Sequence, residues 1–177
     1  MADLHQFKEK YQNFKSTFKT TSFDSAKSDS LCKDTTQEVL NFDKIIEERY
    51  PDSNKRPKSF DAVYLHGKYI FCIEFKNQKS SQINNENVTQ KLTDGKSELD
   101  KLLKELKIQV NEYSFIYCVV YKDFKEHTDR YKSGIGKNAI LFGLQKCKKH
   151  IVDDIFTENV SFFTKEFKKQ ISKELNC

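Results

Sequence analysis

The sequence lacks the long apolar runs that a membrane-spanning protein needs. No stretch approaches the roughly 18 consecutive apolar residues of a transmembrane helix. From the composition of the first residues we also expect no signal peptide. Tryptophan is absent, so 15 phenylalanines and 8 tyrosines supply much of the apolar volume. No internal repeat or linker divides the 177 residues. We therefore expect one globular domain over residues 1–177 that does not enter a membrane.

A strong charge of one sign and an even set of cysteines are also missing. The net charge of +5 is mild, so it permits a polyanionic partner without requiring one. The cysteines are dispersed and odd in number, and two of them lie inside apolar runs, where cysteine behaves as a small hydrophobe. This pattern predicts a reduced, intracellular and cytoplasmic protein. The five cysteines are Cys32, Cys72, Cys118, Cys147 and Cys177.

Two familiar ligand motifs are present only in part. Ser133–Lys137 resembles a phosphate-binding loop, but the Walker spacing requires glycine where the chain has Tyr131 and serine or threonine where it has Asn138. Cys147 and His150 are zinc-ligand types, yet no second pair at zinc-site spacing accompanies them. The sequence therefore predicts neither an NTPase nor a zinc protein. The glycine-rich turn is a candidate contact for a nucleic-acid backbone.

A hairpin between residues 59 and 78 organises the rest of the chain. Two runs rich in β-branched and aromatic residues, 60–65 and 69–75, flank a turn in which Gly67 comes first, as a type II′ turn requires. This turn pairs His66 with Tyr69 and, counting outward, Asp61 with Glu74. Paired residues share a sheet face, and Lys76 joins them because strand side chains repeat every two residues. The pattern predicts that two carboxylates and a lysine converge.

The remaining segments predict an α/β fold around the hairpin. An aromatic stripe predicts a helix over 4–18, residues 19–33 are loop-like, and a capping box at 35–38 opens a helix over 39–50 that ends at Pro51. After a polar loop at 77–87, a helix over 87–107 carries Gly95 in its apolar stripe, which would allow a close approach to the sheet. An apolar run at 113–121 predicts a strand buried on both faces and parallel to the second hairpin strand. A strand at 139–142 and helices at 144–156 and 160–175 complete the expectation.

The chemistry of the Asp61, Glu74 and Lys76 patch favours a bound cation. Two neighbouring carboxylates repel each other, which favours a divalent ion or a raised pKa. Mg²⁺ takes oxygen ligands and keeps several waters, and a nearby lysine can orient a water or neutralise phosphate charge. The plain alternative is an exposed aspartate beside a salt-bridged Glu–Lys pair on an ordinary strand.

The element order around this patch resembles the core of the PD-(D/E)xK nuclease superfamily, over about residues 35–121. The resemblance implies a restriction-endonuclease-like αβββαβ core at about 35–145, with a mixed central sheet flanked by helices. The N-terminal helix 4–18 and the C-terminal helices within 144–175 would be additions. One departure is that Phe60, not proline, precedes Asp61.

The resemblance also implies the roles of individual residues. Asp61 and Glu74 would hold Mg²⁺ or Mn²⁺ with the carbonyl of Phe75, and Lys76 would attend the attacking water. An acid of the first helix often completes such a site; Glu38 and Asp43 are equal candidates and Glu47 ranks third. From the crossover helix, Gln90 or Lys91 is a further candidate.

These roles predict a Mg²⁺-dependent nuclease, with DNA favoured over RNA as its substrate and a homodimer as one assembly. Basic residues in 55–58 and 122–149 would hold the backbone, and the loops 77–87 and 122–138 would decide the substrate. The alternative is an inactive nuclease-like fold that binds nucleic acid or protein. A third hypothesis is the catalytic domain of a larger defence or competition system.

Overall fold

A mixed six-stranded sheet forms the centre of the fold. The computed structural model describes residues 3–122 and 140–177. The order across the sheet is β1-β4-β5-β6-β7-β8, in which β1 to β6 pair antiparallel and β6, β7 and β8 pair parallel. The α/β class with a mixed sheet is thus confirmed. The six strands are β1 (Lys15–Thr17), β4 (Glu38–Asn41), β5 (Ala62–His66), β6 (Tyr69–Lys76), β7 (Ser114–Tyr121) and β8 (Asp154–Asn159).

A separate ribbon and the helices complete the described part of the chain. The ribbon pairs β2 (Phe23–Asp24) with β3 (Asp29–Ser30). Short 3-10 turns lie at Gln12–Phe14, Ser80–Gln82, Val110–Glu112 and Leu144–Cys147. The helices are α1 (Leu4–Lys10), α2 (Phe18–Thr21), α3 (Phe42–Arg49), α4 (Asn85–Glu105) and α5 (Val160–Ile171).

The sheet is covered on both faces, and β7 shows this most clearly. Phe115, Tyr117 and Val119 belong to the apolar cluster that contains residues of α1, α3 and α4. The alternate residues of β7 belong to the opposite cluster, which contains residues of α2 and α5. Side chains of a strand alternate between faces, so a strand buried on both faces is apolar throughout. The prediction for 113–121 is confirmed.

Helix α4 crosses the sheet closely at its glycine. A Cβ at Gly95 would stand 2.7 Å from two ring carbons of Phe60. Phe60 is fully buried and stacks on Phe42 with ring centroids 4.6 Å apart. The predicted helix over 87–107 and its close approach at Gly95 are therefore confirmed, with the helix starting two residues earlier, where the Asn84 side chain caps it.

The N-terminal part differs from the expectation in three places. The predicted helix 4–18 ends at Lys10 and is followed by a 3-10 turn and β1. The predicted loop 19–33 contains the end of α2 and the β2–β3 ribbon. Residues 38–41 form a strand and not a helix turn, because they pair with both β1 and β5, and the side chain of Asn41 then caps α3. Pairing between distant segments overrides the local capping-box signal.

The C-terminal part differs as well. Residues 140–142 are not a strand, and the predicted helix 144–156 is replaced by a 3-10 turn and the start of β8, which pairs with β7. The predicted helix 160–175 ends at Ile171. Cys32 and Cys177 form a disulfide, which corrects the expectation of reduced cysteines for this pair without establishing a compartment. The turn at Ser133–Lys137 and residues 123–138 of the predicted substrate loop lie outside the described residues.

Candidate active site

The hairpin turn brings Asp61 and Glu74 together. Gly67 has φ +57°, in the left-handed region that a type II′ turn requires at its first central residue. The pairs of β5 and β6 run from His66 with Tyr69 outward to Ala62 with Ile73, so the next residues outward are Asp61 and Glu74. The predicted register is confirmed. Both carboxylates lie on the sheet face that α4 covers, because Val63 and Cys72 two residues away pack there.

Two lysines contact the carboxylate pair. The Lys76 Nζ lies 2.8 Å from Glu74 Oε1, as expected for two residues on one strand face. The Lys91 Nζ lies 2.9 Å from Glu74 Oε2 and 3.3 Å from Asp61 Oδ1, so its ammonium bridges the two acids. Lys91 reaches them because it stands on the face of α4 between Val88 and Gly95, which packs on the sheet. The cluster thus has two acids and two bases.

Asp61 is held by the neighbouring strand. Its Oδ2 accepts a hydrogen bond from the backbone N–H of Phe75 at 2.6 Å. Burial raises the pKa of the Asp61 carboxyl well above its usual value, and the negative charge of Glu74 raises it further, while Lys91 opposes both. Burial alone would lower the pKa of Lys91, but the charges of Asp61 and Glu74 outweigh it and raise that pKa. The site therefore favours positive charge.

Glu74 carries an oxygen that no hydrogen bond satisfies. The residue is 0% exposed, and no hydrogen bond to its Oε1 is found in the described part of the chain. The Lys76 ammonium lies 2.8 Å from this oxygen and balances its charge, but it stands outside hydrogen-bonding geometry. Oxygen atoms are the ligands that Mg²⁺ and Mn²⁺ prefer. The Glu74 and Asp61 carboxylates therefore offer suitable ligand atoms for a divalent cation, at a place where two ammonium groups supply positive charge.

The three candidate acids of the first helix are placed differently. Asp43 accepts a hydrogen bond from the Ser59 hydroxyl and is near enough to raise the pKa of Asp61 by its charge. Glu38 lies on β4, where the register puts it beside Leu65, four residues from Asp61 and thus roughly 13 Å along the strand. Its carboxylate pairs with Lys8 and Lys15, so the structure does not bring Glu38 to the acid pair.

The two remaining predicted site residues, Phe75 and Glu47, are placed differently from the prediction. At the acid pair, Phe75 donates its backbone N–H to Asp61, whereas the predicted metal ligand is its carbonyl. Glu47 pairs with Lys44 and Arg56 and does not join the acids. Over residues 3–122 and 140–177, no group of three His, Cys, Asp or Glu side chains is placed so that it could hold a metal.

Two asparagines near the cluster were not predicted from the sequence. Asn87 of α4 accepts a long hydrogen bond from Lys76, with 3.5 Å between Nζ and Oδ1. Asn77 follows β6, is 7% exposed, and has no hydrogen-bond partner on either amide atom among the described residues. Asn77 could have been predicted as a residue near the cluster, because it directly follows Lys76 at the end of the strand.

Comparisons with protein-family models, curated proteins and solved structures found no match. No helix in the described ranges is both long and apolar enough to cross a membrane. The chemistry of the site is therefore inferred from its geometry alone.

Proposed function

We propose that this chain is a metal-dependent nuclease of the PD-(D/E)xK type, with a restriction-endonuclease-like core, that hydrolyses phosphodiester bonds, DNA being favoured. The observation that supports it best is the pairing of Asp61 with a buried Glu74, with the Lys76 ammonium 2.8 Å from Glu74 Oε1. The order of hairpin, crossover helix α4 and parallel strand β7 around that pair supports it as well.

The residues have distinct roles in this proposal. Asp61 and Glu74 would hold Mg²⁺ or Mn²⁺, and the bound ion would supply Lewis-acid polarisation of a phosphate oxygen and lower the pKa of a water. Lys76, with its ammonium beside Glu74 Oε1, orients the attacking water and neutralises charge on the phosphate. The Phe75 N–H fixes the Asp61 carboxylate in place. Asp43 adds negative charge at the rim.

Cleavage assays test this function directly. Single- and double-stranded DNA and RNA are incubated with the protein and Mg²⁺, with and without EDTA. We expect Glu74→Gln and Lys76→Met to lower the rate at least about 100-fold, the usual size of a lost acid–base or electrostatic contribution. Lys104→Met is the matched control, since Lys104 is exposed and lies 13 residues beyond Lys91, about 20 Å along α4. Full activity in both site variants would contradict the proposal.

A second candidate function is an inactive nuclease-like fold that binds nucleic acid or protein. The Lys91 ammonium favours it, because it already bridges both carboxylates and so supplies the positive charge they need. Calorimetric titration of wild type and Lys91→Met with Mn²⁺ separates the two functions. If the protein is a nuclease, the wild-type protein should bind Mn²⁺. The Lys91→Met variant, which lacks the competing ammonium, should bind Mn²⁺ more tightly. Binding by the variant alone would favour the second function.

A further inference from the structure

A cavity of about 330 Å³ borders the acid pair on the side of the N-terminal ribbon. It is lined by residues 21–25 and, at the end of the hairpin, by Asp61 and residues 75–78. The volume is at the small end of the roughly 300–1,000 Å³ range of small-molecule pockets. It therefore suits one nucleotide unit of a longer chain and is too small for a stack of base pairs.

The segment 21–25, which lines the cavity, carries an exposed aromatic ring. Phe23 is 56% exposed and is the exposed large hydrophobic side chain among residues 3–122 and 140–177. The backbone beside it is fixed, because the Ser22 hydroxyl accepts from the Cys32 N–H and donates to the Cys32 carbonyl, and Leu31 donates to Ser22. Exposed aromatic rings serve as stacking platforms for unpaired bases.

The charged side chains that line the cavity differ in sign. Asn77 also lies at the cavity, but both of its amide atoms are shielded from solvent and are not open to a bound group. Asp24 and Asp61 line the cavity, so a phosphate would meet negative charge beside them. Lys76 is the cation of the same lining. The lining therefore favours a neutral base beside the two acids and a phosphate only toward Lys76.

We propose that this cavity binds an unstacked nucleobase of single-stranded nucleic acid, with the base stacked on the exposed Phe23 ring. The inference rests on the proposed nuclease function and narrows its substrate to an unpaired strand or strand end. The adjacent phosphate of that nucleotide would then lie toward the Lys76 ammonium.

Binding in EDTA tests this subsite without cleavage. The probe is a short fluorescent DNA of mixed sequence, measured by anisotropy as a single strand and as its blunt duplex. We expect wild type to bind the single strand more tightly. Phe23→Leu keeps an apolar side chain but removes the ring, and should weaken single-strand binding roughly 10-fold. Phe23→Tyr, which keeps an aromatic ring, should bind like wild type.

Several outcomes would overturn the subsite. Equal affinity for single strand and duplex would do so, and so would unchanged binding by Phe23→Leu. Lys104→Met serves again as the surface control, and thermal unfolding verifies that each variant is folded. Ring-dependent binding without Mg²⁺-dependent cleavage would support the subsite while contradicting the nuclease. Cleavage with ring-independent binding would contradict the subsite alone.

Discussion

Asp61 and Glu74 bring like charges into a buried corner of the sheet, and the surrounding residues only partly compensate them. The pairing of these acids followed from strand periodicity and the glycine turn, so it could be predicted from the sequence. The bridge from Lys91 could not be fixed in advance, because it depends on which face of α4 meets the sheet. Gln90, the other candidate from that helix, is exposed.

The raised pKa of Asp61 predicts that Asp61→Asn stabilises the metal-free protein at neutral pH. Asparagine keeps an oxygen for the Phe75 N–H and removes the repulsion from Glu74. In wild type the unfolded state ionises Asp61 near ~3.9, but the folded state does so only at higher pH, so stability falls as pH rises through that window. We expect no pH-dependent advantage for the variant below ~3.9 and a gain of about 1 kcal/mol at pH 7.

Chemical unfolding in EDTA at several pH values measures this difference. Asp52→Asn is the control, because Asp52 is exposed in the loop after α3 and should change stability by less than about 0.5 kcal/mol. A variant that is less stable than wild type at neutral pH would mean that Lys91 fully compensates the two charges.

At the scale of elements, the periodicity of a segment predicted its secondary structure correctly where tertiary packing favours the same structure. The hairpin, α4 and β7 have strong periodicity, and all three were predicted to within two residues. Strands β4 and β8 were missed, because their strand state depends on pairing with β5 and β7, which single-segment propensity does not contain. For the same reason Glu38 was expected near the site and lies away from it.

The close approach of α4 predicts that Gly95→Ala destabilises the protein. The new Cβ would meet the Phe60 ring at 2.7 Å, and that ring is fixed against Phe42. Overpacking costs typically about 1–3 kcal/mol, while alanine returns about 1 kcal/mol of helix propensity. We expect a net loss of about 1 kcal/mol, measured as a lower urea midpoint.

Ser97→Ala on the exposed side of α4 separates packing from propensity. Alanine is the better helix former, so this control should be neutral or slightly more stable than wild type. If Gly95→Ala also gains stability, α4 has room to move away from the sheet. Lys91, one turn before Gly95, would then be displaced from the acid pair as well.

At the scale of the whole molecule, the C-terminal tail is fastened to the N-terminal segment. After α5 the chain returns to residues 32–34, where Asn176 donates its N–H to Asp34 and Cys177 bonds Cys32. The two cysteines are 145 residues apart in sequence, so no local pattern could pair them. The link holds the α5 layer against the sheet face opposite the candidate site.

Loss of this link should lower stability substantially. A disulfide that closes so long a loop restricts the unfolded chain, and removal typically costs about 2–4 kcal/mol. We expect the Cys177→Ser variant to unfold at a lower guanidinium concentration than the oxidised wild-type protein. The reduced wild-type protein should unfold at the same concentration as the variant. Thiol titration of the denatured, unreduced protein should find the three free cysteines Cys72, Cys118 and Cys147. The contrary result would be five reactive thiols and a guanidinium unfolding midpoint that does not change with reductant. It would mean that the Asp34 hydrogen bond and the packing of α5 hold the tail without a disulfide.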